Sequence, residues 1–214
     1  MSDNAPPESP ALLSKYRLES LSDGVFAVAM TLLVLDIKPA MEPNSSDLAV
    51  EQMVRGLGLP VLTFAFTFLV TCIFWILHHR EFALLRHTNG VHIVLSLIVL
   101  FTVTLLPVSV SIYLHASTNY LAQTLWLGNF TLIALPLLLS WLYARRAGLV
   151  DASRPAEIAQ RLTLRLLAVT LMGVIATLAL YLGQWWAFLV IPPVVIYLRY
   201  RESRGAAAAR SSST

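Results

Sequence analysis

The sequence predicts an all-α membrane protein, a six-helix transmembrane protomer, on three observations. First, 57% of the 214 residues are hydrophobic and only 13% are charged, against about 25% charged in soluble domains. Second, the mean hydropathy is +0.71. Third, apolar runs long enough to cross a hydrocarbon core of about 30 Å, which takes about 20 residues, recur along most of the chain. Such spans use up the length and leave no room for a second soluble domain. A soluble enzyme fold is excluded on the same grounds.

The first span is expected at about Leu18 to Ile37, ended by Pro39 and Pro43 and a polar loop through Asp47. The second runs from about Leu57 to His79, the third from Val91 to Leu114, and the fourth from Leu121 to Tyr143. The fifth runs from Leu162 to Leu182. The sixth, Trp185 to Tyr200, is short and kinked by Pro192 and Pro193. Residues 1–14 are polar and proline-containing, lack a signal-peptide pattern, and are expected to be disordered. Residues 15–202 would form the membrane domain and 203–214 a disordered tail. The single cysteine, Cys72, lies in an apolar run and reads as a packing residue.

All but two of the 15 lysines and arginines fall at one set of span ends; Lys38 and Arg55 alone lie opposite. By the positive-inside rule both termini are cytoplasmic and the protein sits multi-pass in the cell membrane. That asymmetry accounts for the pI near 9.2, so no nucleic-acid partner follows from it. The tryptophans, Trp75, Trp126, Trp141, Trp185 and Trp186, stand near span ends and read as interfacial anchors.

Function should lie where the membrane carries polar groups at a cost. Spans two to six show almost no charge away from their ends. The first span carries Ser20, Ser22 and Asp23, then Thr31, then Asp36 at its outer end. A helix with these groups should face protein or water.

The run Arg17-x-x-x-Leu21-Ser22-Asp23-x-x-x-Ala27 resembles the Arg-x-x-x-Phe-Ser-Asp signature of the transmembrane protein 175 family of potassium channels. Gly24 to Ile37 is similar to the first helix of prokaryotic members. Trp75 followed by His78, His79 and Phe82, and a third helix ending in Leu105-Leu106-Pro107, are similar too. The resemblance covers about the first 115 residues; Leu21 replaces the usual Phe, and Val108 stands where an aromatic is common. It implies a homotetramer of single-repeat protomers assembled around their first helices, permeable to potassium and other monovalent cations without a Thr-Val-Gly-Tyr-Gly filter, a motif this sequence also lacks.

At about 100° per residue, Leu21, Gly24, Val28, Thr31, Leu32 and Leu35 fall on one face and Asp23 on nearly the opposite one. If first helices surround an axis, that face offers hydrophobic collars with one hydroxyl. The resemblance implies the constriction at Val28, Leu32 and Leu35 and a selectivity role for Thr31. Val28 is smaller than the Ile or Leu common there, which implies a slightly wider neck. Read without the resemblance, such a stripe equally suits lipid contact or packing. Arg17, Ser22, Asp23 and Ala27 read as a structural network at the cytoplasmic end, with Asp23 bonded to another helix. Met30 reads as packing.

His78 and His79 diverge by about 100° and suit packing or hydrogen bonding better than a metal site; Trp75 belongs with them as a candidate partner. No cofactor is expected beyond the permeating ions. A secondary transporter would call for inverted repeats and a broken midplane helix, and an intramembrane enzyme for a nucleophile with a base or for paired acids. Neither pattern is visible. A transporter or a non-conducting membrane scaffold is the alternative reading.

Overall fold

Proline and glycine punctuate the chain into its helices. The computed structural model describes residues 10–37, 51 and 54–183. The sixth span, with Trp185, Trp186, Pro192 and Pro193, lies outside the described residues, as do Lys38 and the C-terminal tail. Helix α1 (Pro10–Leu32) opens on Pro10, since a proline in the first turn has no amide hydrogen to waste. It begins before the expected span and tightens into a 3-10 turn over Leu33–Asp36. Helix α2 (Gly58–Leu84) continues past the expected end at His79.

Helix α3 (Gly90–Thr104) is capped by Asn89, whose Oδ1 accepts the His92 N–H at 3.0 Å. The expected third span is two helices. The chain breaks at Leu105 and resumes as α4 (Leu106–His115). Pro107 has no N–H to give the carbonyl one turn back, so the ladder cannot run through it. Helix α5 (Tyr120–Arg146) starts on Asn119, which accepts from the Leu121 N–H at 2.8 Å. It carries Pro136 inside the helix, on its buried face. It ends in a Schellman turn, where Gly148 takes φ 69° and the Leu149 N–H reaches the Ala144 carbonyl at 3.0 Å. Helix α6 (Ala156–Tyr181) follows.

Among the described residues, five stretches are long and apolar enough to cross a membrane, with α3 and α4 forming one of them. The chain is therefore a polytopic all-α membrane protein. Helices α5 and α6 pack over their length, α3 and α4 lie on α5, and α1 rests on α2 and α3. Gly173 makes the α5–α6 approach possible: a Cβ there would stand 2.8 Å from Thr131 Oγ1. Small residues at such crossings let backbones close in, and Thr131 and Thr177 pair across it at 3.1 Å.

The core is formed by Phe26, Leu33, Phe74, Val99, Val103, Ile133, Leu137 and Trp141. Trp141 is not an interfacial anchor. It is fully buried, and its Nε1 donates to Thr163 Oγ1 at 2.8 Å. Its position on α5 turns the ring inward, and a threonine hydroxyl meets its one donor. Trp126 likewise donates to Thr67 Oγ1 at 3.1 Å and stacks on Tyr113. Met30 packs against the core and meets Cys72, sulfur to sulfur, at 3.6 Å.

The loops after α2 and α5 meet at one end. Arg86 N donates to Leu149 O and Asp151 N to Leu84 O, each at 2.9 Å, and Lys15 Nζ donates to Leu85 O at 2.6 Å. The Asp151 carboxylate accepts the Ser153 N–H at 3.0 Å, and this backbone bond first of all holds its pKa below the ordinary value. Lys15, Arg86 and Arg154 thus gather at the same end.

Candidate functional site

Helix α1 has two unlike faces. Leu18, Ser22, Phe26, Ala29 and Leu33 are buried against the other helices. Their spacing of three and four residues is one helical stripe. Leu21, Gly24, Val28, Thr31, Leu32 and Leu35 are all exposed on the opposite side, Val28 by 56% and Leu35 by 61%. A shallow groove of about 390 Å³ runs beside Leu21, Gly24, Val28 and Leu32, closed on its far edge by Thr104 at the end of α3.

The 3-10 turn changes the phase of the last residues. At three residues per turn, side chains at i and i+3 eclipse. Leu35 therefore stands directly in line with Leu32. Thr31 Oγ1 donates its proton to the Val28 carbonyl at 2.9 Å. Its oxygen lone pairs are thereby left to face outward from the exposed face, where they could accept from water or a cation. Gly24 leaves open space, with no atom within 4 Å of a built Cβ.

The signature residues divide by burial. Ser22 is buried and returns its hydroxyl to the Leu18 carbonyl at 2.8 Å. Arg17, Asp23 and Ala27 are exposed. Asp23 Oδ1 accepts from Trp75 Nε1 at 2.8 Å, tying α1 to α2. The Trp75 ring stacks on His79 at 5.6 Å, and His79 Nδ1 lies 3.5 Å from Glu19 Oε1. His78, one residue along, turns the other way and is buried between Phe26 and Phe82. The two histidines thus serve different sides of α2. Among the described residues no group of three or more His, Cys, Asp or Glu could hold a metal. Trp75→Phe removes the indole donor and keeps the ring stack. About 1 kcal/mol of α1–α2 coupling should be lost, at the low end for a bond to a charged group because the pair is exposed. A lower melting temperature, matched by Asp23→Ala and not further lowered in the double variant, is the expected result.

A polar cluster inside the protomer was not legible in the sequence. Glu81 and His92 are fully buried; His92 Nε2 is 3.1 Å from Glu81 Oε1, and Ser140 Oγ donates to the same oxygen at 2.8 Å. Glu81 lies in the last turn of α2, so the expectation of almost no charge away from the span ends stands, while the burial of an acid at that end is new. The expected span stopped at His79 and left Glu81 outside it. The available signal was Phe74, His78 and Phe82, spaced by four, with Glu81 beside them on the inward side. At 1.5 Å per residue α2 is about 40 Å long, more than the hydrocarbon core, so Glu81 is covered by protein near a membrane surface.

The structure thus defines a polytopic helical membrane protein whose first helix turns one apolar, hydroxyl-bearing face away from its own core. Residues 17–107 match the family described as "Endosomal/lysosomal potassium channel TMEM175". A potassium channel of Chamaesiphon minutus is 30% identical over 143 residues, covering 65% of this chain and 70% of that protein. A potassium channel of a Chryseobacterium strain is 35% identical over 112 residues, covering 52% of this chain and 53% of the relative. The crystal structure of a lysosomal potassium-selective channel TMEM175 homologue from Chamaesiphon minutus superposes with a TM-score of 0.72 at 23% identity, over 88% of this chain and 97% of that one; this likeness speaks to the fold. The chain belongs to the TMEM175 family, a family of ion channels and not of enzymes.

Proposed function

We propose that the chain is a potassium-permeable cation channel, formed as a homotetramer with α1 of each six-helix protomer around a central pore. Val28, Leu32 and Leu35 would supply stacked hydrophobic collars, Thr31 a ring of hydroxyl oxygens, and Leu21 and Gly24 the cytoplasmic approach. The observation that carries this reading is the continuous exposed face from Leu21 to Leu35 on the helix with the family's signature. The chain's similarity to potassium channels of Chamaesiphon minutus and Chryseobacterium supports it. The Thr31 hydroxyl and the open space at Gly24 suit a pore-lining face.

An ion crosses such a neck only when water wets it, so the collars set both conduction and gating. With both termini cytoplasmic, Arg17, Ser22, Asp23 and Ala27 would hold the inner end of α1, Asp23 through Trp75. The test is cysteine accessibility in planar bilayers. Cysteine placed singly at Val28 or Leu35, in a Cys72→Ala background, should let a charged thiol reagent block potassium current. Cysteine at Phe26 should not. Block at Phe26 with none at Val28 or Leu35 contradicts the pore assignment. Flux that saturates and requires a coupling ion would point to a transporter; no flux at all would point to a scaffold.

A further inference from the structure

Asn129 sits roughly 14 Å along α5 from its start and is buried. A side-chain amide at that depth of a span is costly unless its polar atoms are met. One orientation of this amide meets its neighbours. Its Nδ2 donates to the Thr102 carbonyl at 3.2 Å, and its Oδ1 accepts the Leu106 N–H at 3.1 Å. Those two backbone groups are the pair that a continuous helix would join to each other. The Leu105 N–H falls back to the Thr102 carbonyl at 3.3 Å, a three-residue bond. The Ser109 hydroxyl stands beside the same amide at 3.2 Å.

Asn129 thus takes the place of one rung in the hydrogen-bond ladder between α3 and α4. Pro107 removes a different rung, the one to the Val103 carbonyl. Two adjacent rungs are missing, one for want of an N–H and one because an amide from α5 fills it. A side chain inserted into the ladder kinks a helix. Within a span the freed groups have no water to turn to, so the amide also fixes where the chain bends.

The bend reaches the exposed face of α1 from both arms. Thr104, just before the break, closes the groove beside Val28 and Leu32. Beyond the break, α4 packs on the 3-10 turn, and Leu33 of that turn is buried in one core with Leu106 and Val110. Leu35 belongs to the same turn and is exposed. A turn seated on α4 follows α4 when the bend changes, and Leu35 follows with it. Val28 lies on the regular part of α1, which rests chiefly on α2 and α3. On the pore reading of α1, we propose that Asn129 is a positioning residue of the conducting path: its amide fixes the bend between α3 and α4 and thereby seats the turn that carries Leu35.

The test uses the full chain in a Cys72→Ala background, with L35C or V28C as the thiol target in planar bilayers. N129L is close to isosteric and loses both bonds. It should change the rate of block by a charged thiol reagent about fivefold or more at L35C and less than about twofold at V28C, the scale of lost interhelical hydrogen bonds. I133A is the stability control: Ile133 is fully buried one turn along the same face of α5. It should lower the melting temperature and leave both rates unchanged. P107A restores the missing N–H and keeps the amide, so its rate at L35C should stay within about twofold of wild type. P107A decides alone if N129L does not assemble. Spin labels at V94C on α3 and I112C on α4, both exposed positions, report the bend without reference to a pore, with labelled chains diluted among unlabelled ones. N129L should shift their separation; I133A and P107A should not. A separation unmoved by N129L, or moved as far by P107A, overturns the proposal, as does an equal rate change at V28C and L35C. Thiols at V28C and L35C that react in no background overturn the pore reading itself, and with it the role of the bend in conduction, whatever the separation shows.

Discussion

Leu32→Asn is expected to raise single-channel potassium current on the order of tenfold and to move the reversal potential in a potassium/sodium gradient toward zero. Leucine and asparagine are close in size, so the change is mainly one of wetting. The exposed face puts Leu32 one turn beyond Val28 and in register with Leu35. In an assembly with α1 at the axis, each substitution enters in several copies. Lowering the barrier by about 1.4 kcal/mol in total already gives a factor of ten, a modest demand on several added amides in a dry neck. The neighbouring residue is the control. Leu33 is fully buried, so Leu33→Asn should cost assembly and yield of folded protein and leave no larger current to measure. Should Leu32→Asn leave conductance and selectivity as they are while the protein assembles normally, α1 does not line the path.

The face of α1 was legible because it depends on two things a sequence carries directly: a 3.6-residue period and a long local motif. The partner of Asp23 was only half legible. That it reaches another helix follows from its place opposite Val28, but the choice of Trp75, 52 positions away, depends on how α1 and α2 cross. Pro107 announced a break, yet an apolar run that continues to Leu114 hides where the helix restarts. Trp141 misled for a related reason: distance from a helix end suggests membrane depth but says nothing of which side faces the core. The sixth span, with Pro192 and Pro193, falls outside the described residues.

Glu81 shows what a hydropathy reading misses, and it carries the second large effect. Its carboxyl group holds α2 to α3 through His92 and to α5 through Ser140, three elements joined at one oxygen. Glu81→Ala leaves a cavity, an unmet hydroxyl and an unmet ring nitrogen. Removing one partner of such a buried pair costs about 3–5 kcal/mol. For a chain of this size each kcal/mol is roughly 2–4 °C in melting temperature. Thermal unfolding followed by intrinsic tryptophan fluorescence should therefore fall by roughly 6 °C or more in Glu81→Ala. Ser140→Ala, which deletes one donor and leaves the histidine contact, should lose about 1–2 kcal/mol. The two changes should not add, because both act on Glu81 Oε1: the double variant should melt close to Glu81→Ala alone. A Glu81→Ala protein that melts with wild type would mean that the three helices are held by apolar packing alone and that the buried carboxyl group contributes no net cohesion.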